Sequence, residues 1–206
     1  MLEFDVRDLA DGTLVLAHDR PRAGRGRTSL TPALPTLDDV LAYSADRLPG
    51  IGLQVDLKQR GIEAGVVEAL RRHRVLERAW VSTFEAASLR RVAALEPALP
   101  RSYTLPRDRL GIAKRGRLAP LVRAALAAVG ASLPRRLPAL IRRSAAQAVT
   151  LHWSVASAAA IARAHEVGAA VYVWTVDDPR LVKALVEAGA DGIITNDPRV
   201  FSGLTT

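Results

Sequence analysis

The sequence predicts an α/β fold in which parallel strands are joined by helical crossovers. Three observations support this prediction. Strand-like and helix-like segments alternate along almost the whole chain. The strands are short and apolar on both sides, which indicates burial on both faces. Two helical patterns end at Gly168 and Gly189, where a left-handed C-cap is expected. An open doubly wound sheet would give the same alternation, but its glycine-rich phosphate loop is not found.

The opening segment predicts a hairpin that carries two acids. Glu3 and Asp5 alternate with apolar residues, so a strand would turn both carboxylates to one face. Asp11-Gly12 is typical of a turn, and Thr13 to Ala17 reads as the returning strand, which ends at His18.

The remaining elements follow from periodicity and end signals. Strands are predicted at Gly52–Leu57, Ala79–Thr83, Ser102–Leu105, Ala148–His152, Ala170–Val176 and Gly192–Thr195. Helices are predicted at Leu37–Ala45, Glu63–His73, Ala86–Leu95, Leu118–Val129, Ser157–Val167 and Pro179–Ala188. With the hairpin these make seven strand units. A closed (β/α)8 barrel needs eight strands and about 250 residues, so we expect a barrel of this type that lacks about one βα unit before Met1.

The composition limits the classes of protein to which this chain can belong. A chain of 206 residues that is 49% hydrophobic can bury one full core, which predicts a single domain over residues 1–206. The absence of cysteine excludes disulfides, thiolate catalysis and cysteine-based metal sites. Neither a transmembrane run of about 18 apolar residues nor a signal peptide is found. These features predict a cytoplasmic protein.

The net charge of +8 is concentrated in Arg101–Thr150, which holds eleven basic residues and one acid, Asp108. Such a block can be a solvated helical face, a rim that attracts anions to a phosphate site, or a nucleic-acid-binding surface. Tyr103 is the only aromatic residue within it, which argues against stacking on single strands, and we expect no nucleic-acid partner.

Several ordered motifs resemble one enzyme family. They are EFDV, ADGTLVLAHD, LPTLDDVL, LQVDLK, VSTF, AHEVGAAVYVWTVDDP and GADGIITNDP. Together they resemble the glycerophosphodiester phosphodiesterases, metal-dependent TIM-barrel enzymes that hydrolyse glycerophosphodiesters to glycerol 3-phosphate and an alcohol. The resemblance therefore implies a small-molecule phosphodiester as substrate.

The resemblance also implies roles for individual residues. Glu3 and Asp5 match the metal-binding E-x-D of the family, and Asp56 stands where the family usually has a third metal-binding carboxylate, a glutamate. Lys58 and Trp174 match substrate-binding positions, and His18 matches a catalytic histidine. Three carboxylates are hard oxygen ligands that suit Mg²⁺ or Ca²⁺.

One family feature has no match in the 206 residues. The first family strand carries His-Arg-Gly and precedes an E-N-T helix, and neither motif is found. We therefore expect an upstream segment in the native gene and an impaired activity without it. A non-catalytic barrel that binds phosphate or other anions is the alternative, and an anion-binding surface along the basic block is a third hypothesis. His152 could face the barrel mouth or simply pack.

Overall fold

The computed structural model describes residues 1–20, 34–106 and 119–202. The chain divides into two compact units, Met1–Arg101 and Ser102–Thr206, which are treated in turn. The prediction of a single domain over residues 1–206 stays a prediction.

The first unit contains a small sheet whose strand order is β2-β1-β3-β4. Its strands are β1 (Leu2–Asp8), β2 (Leu14–Leu16), β3 (Leu53–Leu57) and β4 (Ala79–Thr83), and its helices are α1 (Leu37–Arg47), α2 (Glu63–Arg72) and α3 (Ala86–Leu95). Strand β1 pairs with β2 in antiparallel and with β3 in parallel orientation, and β3 pairs with β4 in parallel. The predicted hairpin is therefore confirmed, with Gly12 at φ +84° in its turn.

In the second unit, four parallel strands follow one another in chain order, β5-β6-β7-β8. The elements are β5 (Arg101–Leu105), α4 (Ala119–Ser144), β6 (Ala148–His152), α5 (Ala158–His165), β7 (Ala170–Trp174), α6 (Pro179–Glu187) and β8 (Gly192–Ile193). Strand β5 begins at Arg101, the last residue of the first unit.

The strands of both units separate polar from apolar side chains by their period of two. In the first unit Val6, Val55 and Val81 are fully buried, while all their neighbours in sequence except Trp80 are polar. In the second unit Val149, Leu151, Val171 and Val173 pack into one core with α4 residues. In each unit the strands therefore turn an apolar side to the core and carry their polar and most of their aromatic side chains on the other side.

Helix α4 is longer than the sequence indicates. The predicted helix runs from Leu118 to Val129, whereas the observed helix continues through Pro134 and Pro138 to Ser144. Leu118 and the rest of residues 107–118 lie outside the described residues. Leu133, Leu137 and Ile141 recur every four residues and are all buried, so the packing of this stripe outweighs the local cost of the prolines.

Helices in the described residues are too short or too polar to cross a bilayer. The exposed end of α4 carries Arg135, Arg136, Arg142 and Arg143 from the basic block. These arginines form a solvent-facing stripe, and the remaining block residues at 107–118 are outside the described residues.

Helix α1 begins with a complete capping box. The Thr36 hydroxyl donates to Asp39 Oδ2 at 2.6 Å and accepts from the Asp39 backbone N–H at 3.1 Å. We expect Thr36→Ala to lower the free energy of unfolding by about 1 kcal/mol, since a lost N-cap leaves a helix N–H unsatisfied. Urea unfolding followed by circular dichroism measures this, with Thr36→Ser as the control that keeps the hydroxyl. Equal stability of the alanine variant and the wild type would contradict the role of the cap.

Candidate active site

Three carboxylates from two neighbouring strands form an acidic cluster. Glu3 and Asp5 lie on β1, and Asp56 lies on β3 directly opposite Asp5. One carboxylate oxygen from each of the three lies within 4.8 Å of the others. The two-residue spacing on β1 and the parallel register with β3 are sufficient to bring them together.

Lys58 supplies the positive charge of this cluster. Its ammonium lies 2.8 Å from Asp5 Oδ1 and 2.5 Å from Asp56 Oδ2, so it bridges the two strands. Asp56 is only 3% exposed, and a carboxylate so buried requires a paired charge. Lys58 is two residues beyond Asp56 and therefore points to the same side of β3.

Polar neighbours fix the orientation of these side chains. The Ser82 hydroxyl on β4 donates to Asp56 Oδ1 at 2.7 Å. The Gln54 amide donates to Ser82 Oγ at 3.1 Å and to Glu3 Oε1 at 3.3 Å. A chain of hydrogen bonds therefore runs from Glu3 to Asp56 across three strands, and it limits the rotamers that the carboxylates can adopt.

Burial and neighbouring charges shift the pKa values of Glu3, Asp56 and Lys58. Glu3 is exposed as a residue, but partial removal of its carboxylate from water, with the charges of Asp56 and Asp5, raises its pKa to about 7 against the opposing effect of Lys58. Burial raises the pKa of Asp56, although Lys58 and Ser82 oppose it. For Lys58, burial lowers the pKa, but the charge of Asp56 and the bonds to Asp5 and Asp56 outweigh it, so the pKa is raised. Among the described residues, the three acids lie beside one cation, Lys58, so this part of the site has an excess of negative charge.

His18 lies beside the acidic strand but is not packed into the cluster. The backbone N–H of Ala17 donates to Asp5 O at 3.0 Å, which brings the end of the hairpin next to β1. The His18 side chain is 71% exposed, and its Nδ1 lies 3.2 Å from Asp19 Oδ1. Its imidazole is thus accessible to a ligand, and its catalytic role stays a prediction.

Arg7 was missed by the sequence analysis although it continues the same alternation. Its guanidinium donates to the backbone O of His18 at 2.9 and 3.1 Å and to the backbone O of Lys58 at 3.4 Å. This arginine therefore ties the end of the hairpin to the end of β3. The sequence signal for Arg7 was its position two residues after Asp5 on the same strand. In the same way, the position of Ser82 two residues after Trp80 predicts that both side chains lie on one face of β4.

Trp174 lies in the second unit, at the end of β7 and next to His152 of β6 in the register. Their rings meet edge to face, with centroids 5.1 Å apart. The carboxyl end of a parallel strand is where barrel enzymes place their chemistry. The substrate-binding role of Trp174 stays a prediction, as do the roles of Lys58 and the three carboxylates.

Comparison with known proteins identifies the family. A model of the glycerophosphoryl diester phosphodiesterase family matches residues 21–200, which is most of the chain. The chain belongs to this family. Glu3, Asp5 and His18 precede the matched residues, so the match does not assign them a role.

The fold of this phosphodiesterase family member is similar to the folds of several solved structures. A glycerophosphodiester phosphodiesterase from Parabacteroides distasonis aligns over 96% of this chain and 79% of its own, with a TM-score of 0.71 and 22% identity. A phosphodiesterase from Oleispira antarctica, in complex with the product sn-glycerol-3-phosphate, aligns over 97% and 82%, with a TM-score of 0.69 and 21% identity. The predicted fold class, an α/β fold of the (β/α)8 barrel type, is confirmed.

Two curated proteins match a short segment. A dermonecrotic toxin from Loxosceles variegata is 53% identical, and a glycerophosphodiester phosphodiesterase from Arabidopsis thaliana is 47% identical, each over 34 residues. The matched segment spans 16% of this chain and only 12% and 10% of these relatives.

The donor set of the cluster fits a divalent cation. The candidate ligand atoms of the three residues are all carboxylate oxygens and lie within 4.8 Å of one another. Such a set suits Mg²⁺ or Ca²⁺, whose ligand distances are about 2.0 to 2.6 Å. Asp56 is one methylene shorter than the glutamate usual in the family, yet its carboxylate still reaches the group. Glu3, Asp5 and Asp56 would hold the ion, and the two charges of the ion would offset their mutual repulsion.

The raised pKa of Glu3 predicts pH-dependent metal affinity. Because the ion competes with the proton on Glu3, we expect Mg²⁺ to bind more tightly at pH 8 than at pH 6, by up to about tenfold. Isothermal titration calorimetry at the two pH values measures the difference. Glu3→Gln carries no titrating proton at this position and should bind weakly with a flatter profile. Equal wild-type affinity at pH 6 and pH 8 would argue against a shared proton and metal site.

Proposed function

We propose that this chain hydrolyses glycerophosphodiesters to glycerol 3-phosphate and an alcohol, with a divalent cation held by Glu3, Asp5 and Asp56. The observation that carries the proposal is the convergence of these three carboxylates around Lys58 in a member of the glycerophosphoryl diester phosphodiesterase family. The Oleispira antarctica neighbour, with its bound sn-glycerol-3-phosphate, supports a small phosphodiester as the substrate.

With a divalent cation bound, the charge of the three carboxylates would be offset and the cluster would form a preorganised site for the phosphate. A bound Mg²⁺ or Ca²⁺ would supply Lewis-acid stabilisation of charge on a phosphoryl oxygen. Lys58 would hold Asp5 and Asp56 in place and present its ammonium to the anionic substrate. Ser82 and Gln54 would keep Asp56 and Glu3 oriented, so that little reorganisation is needed when the substrate binds.

Hydrolysis also requires a proton transfer to the departing alcohol. A water oxygen forms a bond to phosphorus, the bond from phosphorus to the alcohol oxygen breaks, and the departing oxygen takes up a proton. His18 is the proposed donor of that proton, since its imidazole is exposed and histidine side chains can exchange protons at neutral pH. Trp174 would contact the substrate.

We expect the 206-residue chain to turn over slowly. The histidine and arginine of the family's His-Arg-Gly motif have no match in the sequence. Loss of one positioned acid or base typically costs about 10²- to 10⁴-fold in rate. The metal-binding carboxylates do not depend on that motif, so metal binding and turnover should be separable.

Release of glycerol 3-phosphate from glycerophosphocholine, measured with and without EDTA, tests this proposal. The 206-residue chain should show weak activity that EDTA abolishes, and a chain extended upstream with the His-Arg-Gly strand should be faster. Within the extended chain, His18→Ala and Asp56→Asn should each reduce the rate by at least about 10²-fold. Asp38→Asn is the matched control, because Asp38 pairs with Arg72 and His73 outside the cluster.

Different results separate the alternatives. Full EDTA-sensitive activity in the 206-residue chain would show that the missing histidine is dispensable. An extended chain that binds metal and phosphate but releases no product would support the non-catalytic, anion-binding barrel. Wild-type activity in Asp56→Asn would contradict the assignment of the metal site.

A further inference from the structure

In the second unit, an imidazole lies between two indoles at the ends of β6 and β7. The His152 ring meets Trp174 edge to face at 5.1 Å and Trp153 at 5.2 Å with a tilt of 35°. Trp153 is 46% exposed, so this group of rings reaches the solvent. His152 is paired with Trp174 in the register and shares its face of the sheet. These side chains stand at the carboxyl ends of their strands, where ligands of barrel enzymes bind.

Ser154 lies against Nδ1 of the His152 ring, and its backbone N–H favours the tautomer that is protonated at Nε2. The backbone N–H of Ser154 donates to His152 Nδ1 at 3.3 Å, and the Ser154 hydroxyl lies 2.7 Å from the same nitrogen. A nitrogen that accepts from a backbone N–H carries no proton of its own. The proton of the neutral ring is therefore on Nε2, and the ring has a defined donor.

The Nε2 atom of His152 has no hydrogen-bond partner within residues 1–20, 34–106 and 119–202. In contrast, Nε2 of His73 lies 2.8 Å from Asp38, and Nε2 of His165 lies 2.8 Å from Asp191. In those two histidines, Nε2 is paired with a carboxylate of this protein. The ring of His152 is instead held by the contact of Ser154 with Nδ1 and by two aromatic contacts, which leaves the Nε2–H available as a donor.

We propose that His152 is a ligand-contacting residue of the second unit, whose Nε2–H donates to an oxygen of a glycerol phosphate group. The proposal rests on the proposed function for the identity of the ligand. Ser154 is then a positioning residue, because it sets which nitrogen of His152 carries the proton. Burial lowers the pKa of His152, which favours the neutral ring at pH 7 and agrees with a donor role rather than a charged one.

Steady-state kinetics on three variants test the contact. His152→Phe keeps a ring against the tryptophans and removes the donor, so we expect KM to rise roughly 10- to 100-fold with a smaller change in kcat. His152→Gln can place an amide N–H near the position of Nε2 and should recover part of the loss. Ser154→Ala should raise KM less than His152→Phe. His165→Gln, in the same unit but bound to Asp191, is the matched control and should keep the wild-type KM.

Binding is measured independently of turnover by ¹⁵N NMR of the histidine rings. The free protein should show His152 as the Nε2–H tautomer, and Ser154→Ala should weaken that preference. Titration with sn-glycerol 3-phosphate should shift the His152 Nε2 signal, while inorganic phosphate and glycerol in parallel titrations distinguish a phosphate contact from a hydroxyl contact.

The outcomes separate this inference from the proposed function. If wild-type protein turns over but His152→Phe and His152→Gln both keep the wild-type KM, and no ligand shifts the His152 signal, the contact is wrong while the function stands. If no phosphodiester is hydrolysed but sn-glycerol 3-phosphate shifts the His152 signal, the contact stands and the hydrolytic function fails. A free ring in the Nδ1–H tautomer would overturn the inference directly.

Discussion

The ion pair between Lys58 and Asp56 is the interaction on which the site depends. Asp56 is buried on β3, and a carboxylate in that position is tolerated only with a matched charge and full hydrogen bonding. Lys58 provides the charge at 2.5 Å, and Ser82 provides the second bond. Since the same ammonium also reaches Asp5 on β1, the pair holds two strands and two carboxylates in one geometry. The excess negative charge that remains, visible in the raised pKa of Glu3, is what a divalent cation would neutralise.

The fold creates this geometry through strand alternation rather than through an elaborate loop. On β1, β3 and β4, one face buries Val6, Val55 and Val81 against the helices, and the opposite face carries Asp5, Asp56 and Ser82 in register. A one-residue slip of β3 would place Asp56 in the apolar core and Val55 in the site. Register, core and the placement of the polar side chains are therefore set by the same pattern of alternation.

Much of this arrangement could be predicted from the sequence. The alternation of apolar and polar residues correctly predicts the opening hairpin, the strand at β3 and the shared face of Glu3, Asp5, Asp56 and Lys58. The sequence predicts helix α4 too short, because Pro134 and Pro138 locally suggest the end of a helix. The burial of Leu133 and Leu137 that extends the helix depends on tertiary packing. The bonds of Arg7 to His18 O and Lys58 O, and the tautomer set by Ser154, depend on three-dimensional contacts that no local pattern encodes.

The position of a bound ion tests the central claim most directly. A crystal grown with Mn²⁺ and measured at the manganese absorption edge gives an anomalous peak wherever the ion binds. We expect one peak with carboxylate oxygens of Glu3, Asp5 and Asp56 about 2.0 to 2.6 Å away, and with the Lys58 ammonium outside that shell. A peak elsewhere in the chain, or a Mn²⁺-saturated crystal with none at this cluster, would contradict the account and leave the ammonium of Lys58 as the counter-charge of Asp5 and Asp56.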